Sequence, residues 1–294
     1  MTLRPDFYED FACRAGSCRH SCCKGWEIDV DDDSAARYRR LPGPLGQRLR
    51  DALTESEEGF SFRLTPEERC PFLQKDGLCE LICQLGEDAL CEICRLHPRF
   101  YERWGDDLLC GLGLSCEEVC ALLLAPGRGP LRFCTEDRSR SFSLPELLAQ
   151  GMPDFPVPLT GWDLPRGDAP YYRRMLALFS CTEAIDGDWL RQLDSLSLHL
   201  DELLSALPGS DFRLDRDARE RVLHYLLYRQ LERIEDYGPA HFLRYGLVCT
   251  DFIDLLALQM RDPAEALRRW SEQIEYSTEN VDIIMEGVES CFER

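Results

Sequence analysis

The stretch LCELICQLGEDALCEICRLHPR, residues 78–99, carries four cysteines in 22 residues, and its reading decides how the first half of the chain folds. Cys79-x3-Cys83 places two thiols on one face of a short helix. Cys91-x2-Cys94 is a bite that suits one tetrahedral metal or two corners of a cluster. Working outward, twelve of the 16 cysteines fall in the first 120 residues, including Cys13, Cys18, Cys22, Cys23, Cys70 and Cys116. Thiolates are soft ligands that select zinc, copper(I) or iron–sulfur clusters. The opening MTLRPDFYEDFAC has no apolar run of the kind that starts a secretory leader, so the sequence predicts a cytoplasmic protein with reduced thiols. In that setting clustered cysteines bind metal more often than they form disulfides.

Two metals compete for this pattern. Zinc ribbons usually show two clean C-x2-C pairs, and this chain has one. Irregular, all-cysteine spacing favours a [4Fe–4S] cluster, with zinc as the alternative. The loop C-x3-C-x2-C of radical S-adenosylmethionine enzymes is absent three times. Gly25, Gly86 and Leu123 stand where its third cysteine belongs. Gly111-Leu112-Gly113 lacks the third glycine of a dinucleotide fingerprint.

Composition excludes other classes. The net charge of −20 disfavours nucleic acid and anionic membrane, and no apolar run is long enough for a membrane span. Only Lys24 and Lys75 are lysine among the 34 basic residues. A GC-rich genome gives that bias, and so does selection on an enzyme that acts on lysine.

The expected fold is mainly α with a small antiparallel β element. A cysteine-rich metal-binding part, residues 1–125, leads through a proline-rich connecting segment, residues 126–170, to a helical bundle, residues 171–294. Trp26–Val30 and Phe60–Leu64 alternate as strands do, and Arg99–Trp104 with Leu108–Leu112 reads as a hairpin. Leu78–Gly86, Asp88–Leu96 and Ser115–Leu124 read as short helices, and Ser143–Gln150 as another within the connecting segment. Asp188–Leu207, Ala218–Asp236 and Ala240–Arg261 have helical periodicity, and Pro263 opens the last helix. Phe142, Phe155 and Trp162 suggest that the connecting segment packs.

Several blocks together resemble the flagellin lysine-N-methylase family. They are Phe11-x-Cys13, Ser21-Cys22-Cys23-Lys24-Gly25-Trp26, Cys70-Pro71-Phe72-Leu73, and Gly77-Leu78-Cys79. Leu90-x3-Cys94-Arg95-x2-Pro98-Arg99, Leu114-Ser115-Cys116-Glu117-Glu118 and Ser271–Tyr276 complete the set. The opening stretch, Phe11 to Asp31, and the second cysteine block, Cys70 to Arg99, are also similar to a broader group of zinc- or iron-chelating proteins. The resemblance implies methyl transfer from S-adenosylmethionine to lysine amines of a protein substrate, flagellin in the family, with a bound iron–sulfur cluster.

On that basis Cys22, Cys23, Cys79, Cys94 and Cys116 are the first candidates for metal, followed by Cys13, Cys18 and Cys70. Cys91 falls where many relatives carry serine and is set aside. Arg95 and Arg99, with Trp26, are candidates for holding S-adenosylmethionine; the arginines equally suit neutralising a thiolate-rich cluster. Glu275 and Tyr276 are the catalytic candidates, although the family usually has His at the position of Tyr276. Two other functions fit the same residues: a non-catalytic zinc or iron–sulfur protein whose helical half binds a partner, and an electron-transfer module.

Overall fold

A computed structural model of the chain describes residues 1–152 and 168–293. The middle of the proline-rich segment, with Phe155 and Trp162, lies outside the described residues. The protein divides into two compact units, Ala12–Phe100 and Met1–Phe11 with Tyr101–Arg294. It is mainly helical, with two sheets rather than one small antiparallel element.

In unit Ala12–Phe100, three short strands form an antiparallel sheet in the order β2-β4-β3: β2 (Asp29–Val30), β3 (Leu53–Ser56) and β4 (Gly59–Phe62). The helices Asp32–Arg40 and Gly43–Ala52 connect β2 to β3. Their apolar side chains, Ala35, Tyr38 and Leu49, meet Ile28, Val30, Phe62 and Phe72 in one core. Tyr38 stacks on Phe62 at 5.7 Å, and Phe62 meets Phe72 edge-on at 5.1 Å. The Tyr38 hydroxyl donates to the Ala89 carbonyl at 2.7 Å, tying this core to the cysteine-rich stretch. The predicted helices there are shorter than periodicity suggested, Glu80–Leu85 and Glu92–Leu96. Gly86, at φ +85°, ends the first of them in a backbone conformation that a side chain resists.

The second unit holds a five-stranded mixed sheet in the order β5-β6-β1-β7-β8. The strands are β1 (Thr2–Pro5), β5 (Arg99–Trp104), β6 (Asp107–Leu112), β7 (Phe133–Thr135) and β8 (Ser141–Phe142). The predicted hairpin is β5 and β6. β1 runs parallel to β6 and antiparallel to β7. Nothing local announces that pairing, because four residues at the chain start carry too little periodicity and their partners lie about a hundred residues away.

Helices cover most of the rest. Leu144–Gly151 has a full capping box between Ser143 and Glu146. The predicted Asp188–Leu207 helix is broken at His199 into Gly187–Leu198 and Leu200–Ala206. The predicted Ala218–Asp236 helix runs from Arg216 to Arg229 and then tightens. It is buried on nearly all sides, and its tyrosines reach the sheet. Tyr225 accepts the Leu112 N–H and donates to the Leu112 carbonyl, both at 2.7 Å. The Tyr228 hydroxyl lies 2.9 Å from the Leu3 carbonyl and 3.0 Å from that of Cys110. The central helix Pro239–Met260 packs against this one across Gly246, where an added Cβ would meet Leu227 at 2.6 Å. No described helix is long and apolar enough to cross a membrane.

Candidate metal centre

Five thiols of unit Ala12–Phe100 gather beside its core: Cys70 and Cys91 within it, and Cys23, Cys79 and Cys94 packed against it. Backbone pairing from distant segments brings them together. The Cys70 N–H donates to the Cys23 carbonyl at 2.8 Å, and Gly25 N–H to Glu68 at 2.8 Å. Leu73 bridges to Cys79, and Glu80 N–H donates to Phe72 at 2.8 Å. Cys79 and Cys91 each stand immediately before a helix, while Cys94 sits within the second. Asp31 joins that second helix to the sheet. Its carboxylate accepts the Ser34 N–H at 2.9 Å and the Glu92 N–H at 2.8 Å, so one side chain serves two helix starts. Burial opposes its charge, yet the Glu92 and Ser34 N–H groups hold its carboxyl below the usual value.

The thiols act on one another. Burial pushes the Cys70 thiol up to about 12, and charges on Cys23, Cys79 and Cys91 would push it the same way. Cys94 is pushed far up by its hydrogen bond to Cys91, by burial, and by Cys91, Cys23 and Cys70. Cys79 is raised by burial, with Cys23 and Cys83 adding to it. Cys91 is lowered by its bond from Cys94, and Cys23 is lowered to about 7 by its bond from Cys22. Ionising one thiol therefore opposes ionising the next, and a bound cation removes that conflict. In donor type and number the set fits a thiolate-bound metal or cluster. Among the described residues, no three His, Cys, Asp or Glu side chains converge closely enough to close on one ion.

Of the other candidates, Cys22 bonds to Cys23, and the rest are not among the gathered thiols. Cys22 and Cys13 are exposed, and Cys18 is half-buried in the segment that Gly16 packs against Gly77. Arg95 is exposed, while Arg99 and Trp26 are half-buried. Cys116 belongs to the second unit, where it precedes the helix Glu117–Leu123. Cys91, set aside on the resemblance, is 1% exposed among the gathered thiols. Its C-x2-C spacing to Cys94 was the signal for it.

Glu275 and Tyr276 also lie in the second unit, at the end of a π-turn, Ser271–Glu275. The Glu275 carboxylate is buried. It accepts from the Ser271 hydroxyl and from the Leu114 N–H at 3.4 Å, and Arg229 Nε lies 3.3 Å away. Burial raises its carboxyl, while Arg229 and the Ser271 bond work the other way. Tyr276 bonds to Ser115, and burial pushes its phenol up to about 12. Arg229 escapes sequence reasoning because it comes from a distant segment with no common spacing, whereas Ser115 and Ser271 stand in blocks of the resemblance with no role attached to them.

No family model and no solved structure matches the chain. Three curated proteins do. Two are named lysine-N-methylase, from Salmonella choleraesuis and Salmonella typhimurium, each 28% identical over 126 residues, 41% of this chain. The third is the flagellar biosynthetic protein FliU of Salmonella muenchen, 27% identical over 126 residues and matched over 75% of its own length. The matched part spans about a third, 31%, of the two methylases. The shared stretch is thus shorter than the motif blocks suggest.

Proposed function

We propose that this chain is a protein-lysine N-methyltransferase, dependent on S-adenosylmethionine, whose thiol-rich unit holds a [4Fe–4S] cluster. The observation that carries the reading is the gathering of five soft donors, from blocks spread over seventy residues, in a chain similar to proteins named for lysine methylation. Cys70, Cys79 and Cys94 are the proposed ligands, with Cys23 or Cys91 as the fourth. A bound cluster supplies a redox-active centre and takes up the negative charge of four thiolates.

The chain's own residues would bind and orient. Arg95 and Arg99 carry the planar cation that grips a carboxylate such as that of S-adenosylmethionine, and Trp26 offers an aromatic surface. A lysine amine, with pKa about 10.4 in water, must lose its proton before it takes a methyl group. Flagellin is the proposed substrate because of the family that the motif blocks resemble, and one relative is named a flagellar biosynthetic protein.

A second reading has its own support. The thiols are continuous with the core of a small unit, the position of a metal that holds a fold. Anaerobic loading separates the two. The proposal expects about four iron and four sulfide per chain with a broad visible absorption, together with binding of S-adenosylmethionine. Stoichiometric zinc without iron, and no binding of S-adenosylmethionine, would reject it.

A further inference from the structure

Within unit Ala12–Phe100, side chains of one helix grip the segment that leads into Cys91. The Tyr38 hydroxyl donates to the Ala89 carbonyl at 2.7 Å, and the Arg37 guanidinium donates to the Leu90 carbonyl at 3.1 Å. Arg37 is steadied by a second bond, to the Ser34 hydroxyl at 2.7 Å. Asp31, which caps the start of the same helix, accepts the Glu92 N–H at 2.8 Å. Three bonds thus fall within the stretch Ala89–Glu92, and two of them bracket Cys91 directly.

The next helix, Gly43–Ala52, holds two more of the thiol-bearing segments through one side chain. Arg48 donates to the Glu80 carboxylate at 2.7 Å, one residue after Cys79, and to the Pro71 carbonyl at 3.2 Å, one residue after Cys70. Bonds that support a ligand from behind govern where it stands and how tightly a metal is held. Among the described residues no three donors close on one ion, so what these bonds fix is the backbone that carries the thiols. Cys91 has such a bond on either side and is buried, while Cys23 takes a bond from the exposed Cys22.

Resting on the metal reading above, we propose that the helices Asp32–Arg40 and Gly43–Ala52 are a frame that spaces Cys70, Cys79, Cys91 and Cys94 for one metal centre, with Cys91 rather than Cys23 as the fourth ligand. Asp31, Arg37, Tyr38 and Arg48 are its positioning residues. None of them offers a soft donor, and each acts through a group within two residues of a cysteine.

Metal retention by the full-length chain tests this. The chain is loaded anaerobically with iron and sulfide, and in a parallel sample with zinc, and release of the bound metal to a chromogenic chelator is followed. Cys91→Ser should lose most of the metal, and Cys23→Ser should keep it. Metal retained by Cys91→Ser, or lost from Cys23→Ser, overturns the ligand assignment. Should a buried serine hydroxyl prevent folding, Cys91→Ala is read in the same way. Tyr38→Phe keeps the ring that stacks on Phe62 and loses only the bond to Ala89, whereas Arg48→Ala loses the bonds to Glu80 and Pro71. Each should release metal about tenfold faster than wild type. A purely structural role would lower the melting temperature of the metal-free chain without changing that rate. Release at the wild-type rate in both variants therefore overturns the frame, whatever their melting temperatures. A wild-type chain that holds neither iron nor zinc rejects the metal reading and the frame with it, whereas a loaded wild type with unaffected variants rejects the frame alone.

Discussion

Single residues divide the cysteines more sharply than their count does. Burial and neighbouring thiols raise the Cys70 thiol, and the bond to Cys91 together with burial raises that of Cys94, whereas Cys83 is exposed. After anaerobic loading, Cys70→Ser and Cys94→Ser should each lose most of the bound iron. Cys83→Ser should keep it, as read by iron assay and visible absorption. Asp31 gives a prediction in pH. Its folded carboxyl is held below the unfolded value of about 3.9, so its contribution is full above that value and is lost as pH falls through the folded one. Melting temperature should therefore fall more steeply in wild type than in Asp31→Asn between about pH 5 and pH 2. At neutral pH the substitution should cost about 1 kcal/mol, because Asn keeps one acceptor oxygen and loses the bond to one of the two N–H groups. The cysteine pairs were legible because spacing is a local signal. The role of Asp31 was not, because its second partner, Glu92, lies sixty-one residues on.

Among the elements, helices follow their periodicity apart from shortened or broken ends, and alternation located parts of β2 and β4 as well as the β5–β6 hairpin. The β5–β6 pair and the short helix that starts after Ser143 were legible because every residue that decides them is close in sequence. β1 was missed because its register comes from β6 and β7. The buried helix Arg216–Arg229 was read as one-sided, since its arginines and tyrosines count as polar in a pattern. In the structure Arg221 donates to the carbonyls of Leu123 and Gly129, both at 2.9 Å, and the tyrosines bond to strand backbone. The crossing at Gly246 has no room for a methyl group next to Leu223 and Leu227. Gly246→Ala should therefore destabilise by about 1–3 kcal/mol despite the better helix propensity of alanine. Urea unfolding reads that difference, and a stabilised variant would show that the two helices are free to move apart.

For the molecule as a whole, the two units carry different chemistry. Ala12–Phe100 collects soft donors around a small core, while the second unit builds a sheet, a helical body and the polar turn at Glu275. That division does not follow the order of the chain, since the first eleven residues belong with residues 101–294. Composition indicated a thiol-rich part and a helical part but could not show the chain start crossing to the second. The acidic charge of −20 fits a substrate that meets the protein through exposed lysines. The central claim is that this chain methylates protein lysines and needs its gathered thiols loaded to do so. The most direct measurement is transfer of labelled methyl from S-adenosylmethionine to purified flagellin by the anaerobically loaded chain, with mass mapping of the product. The account predicts label on lysine ε-amines, and loss of that labelling in Cys70→Ser and Cys94→Ser. No label on any lysine, or equal labelling by chain stripped of metal, would contradict it.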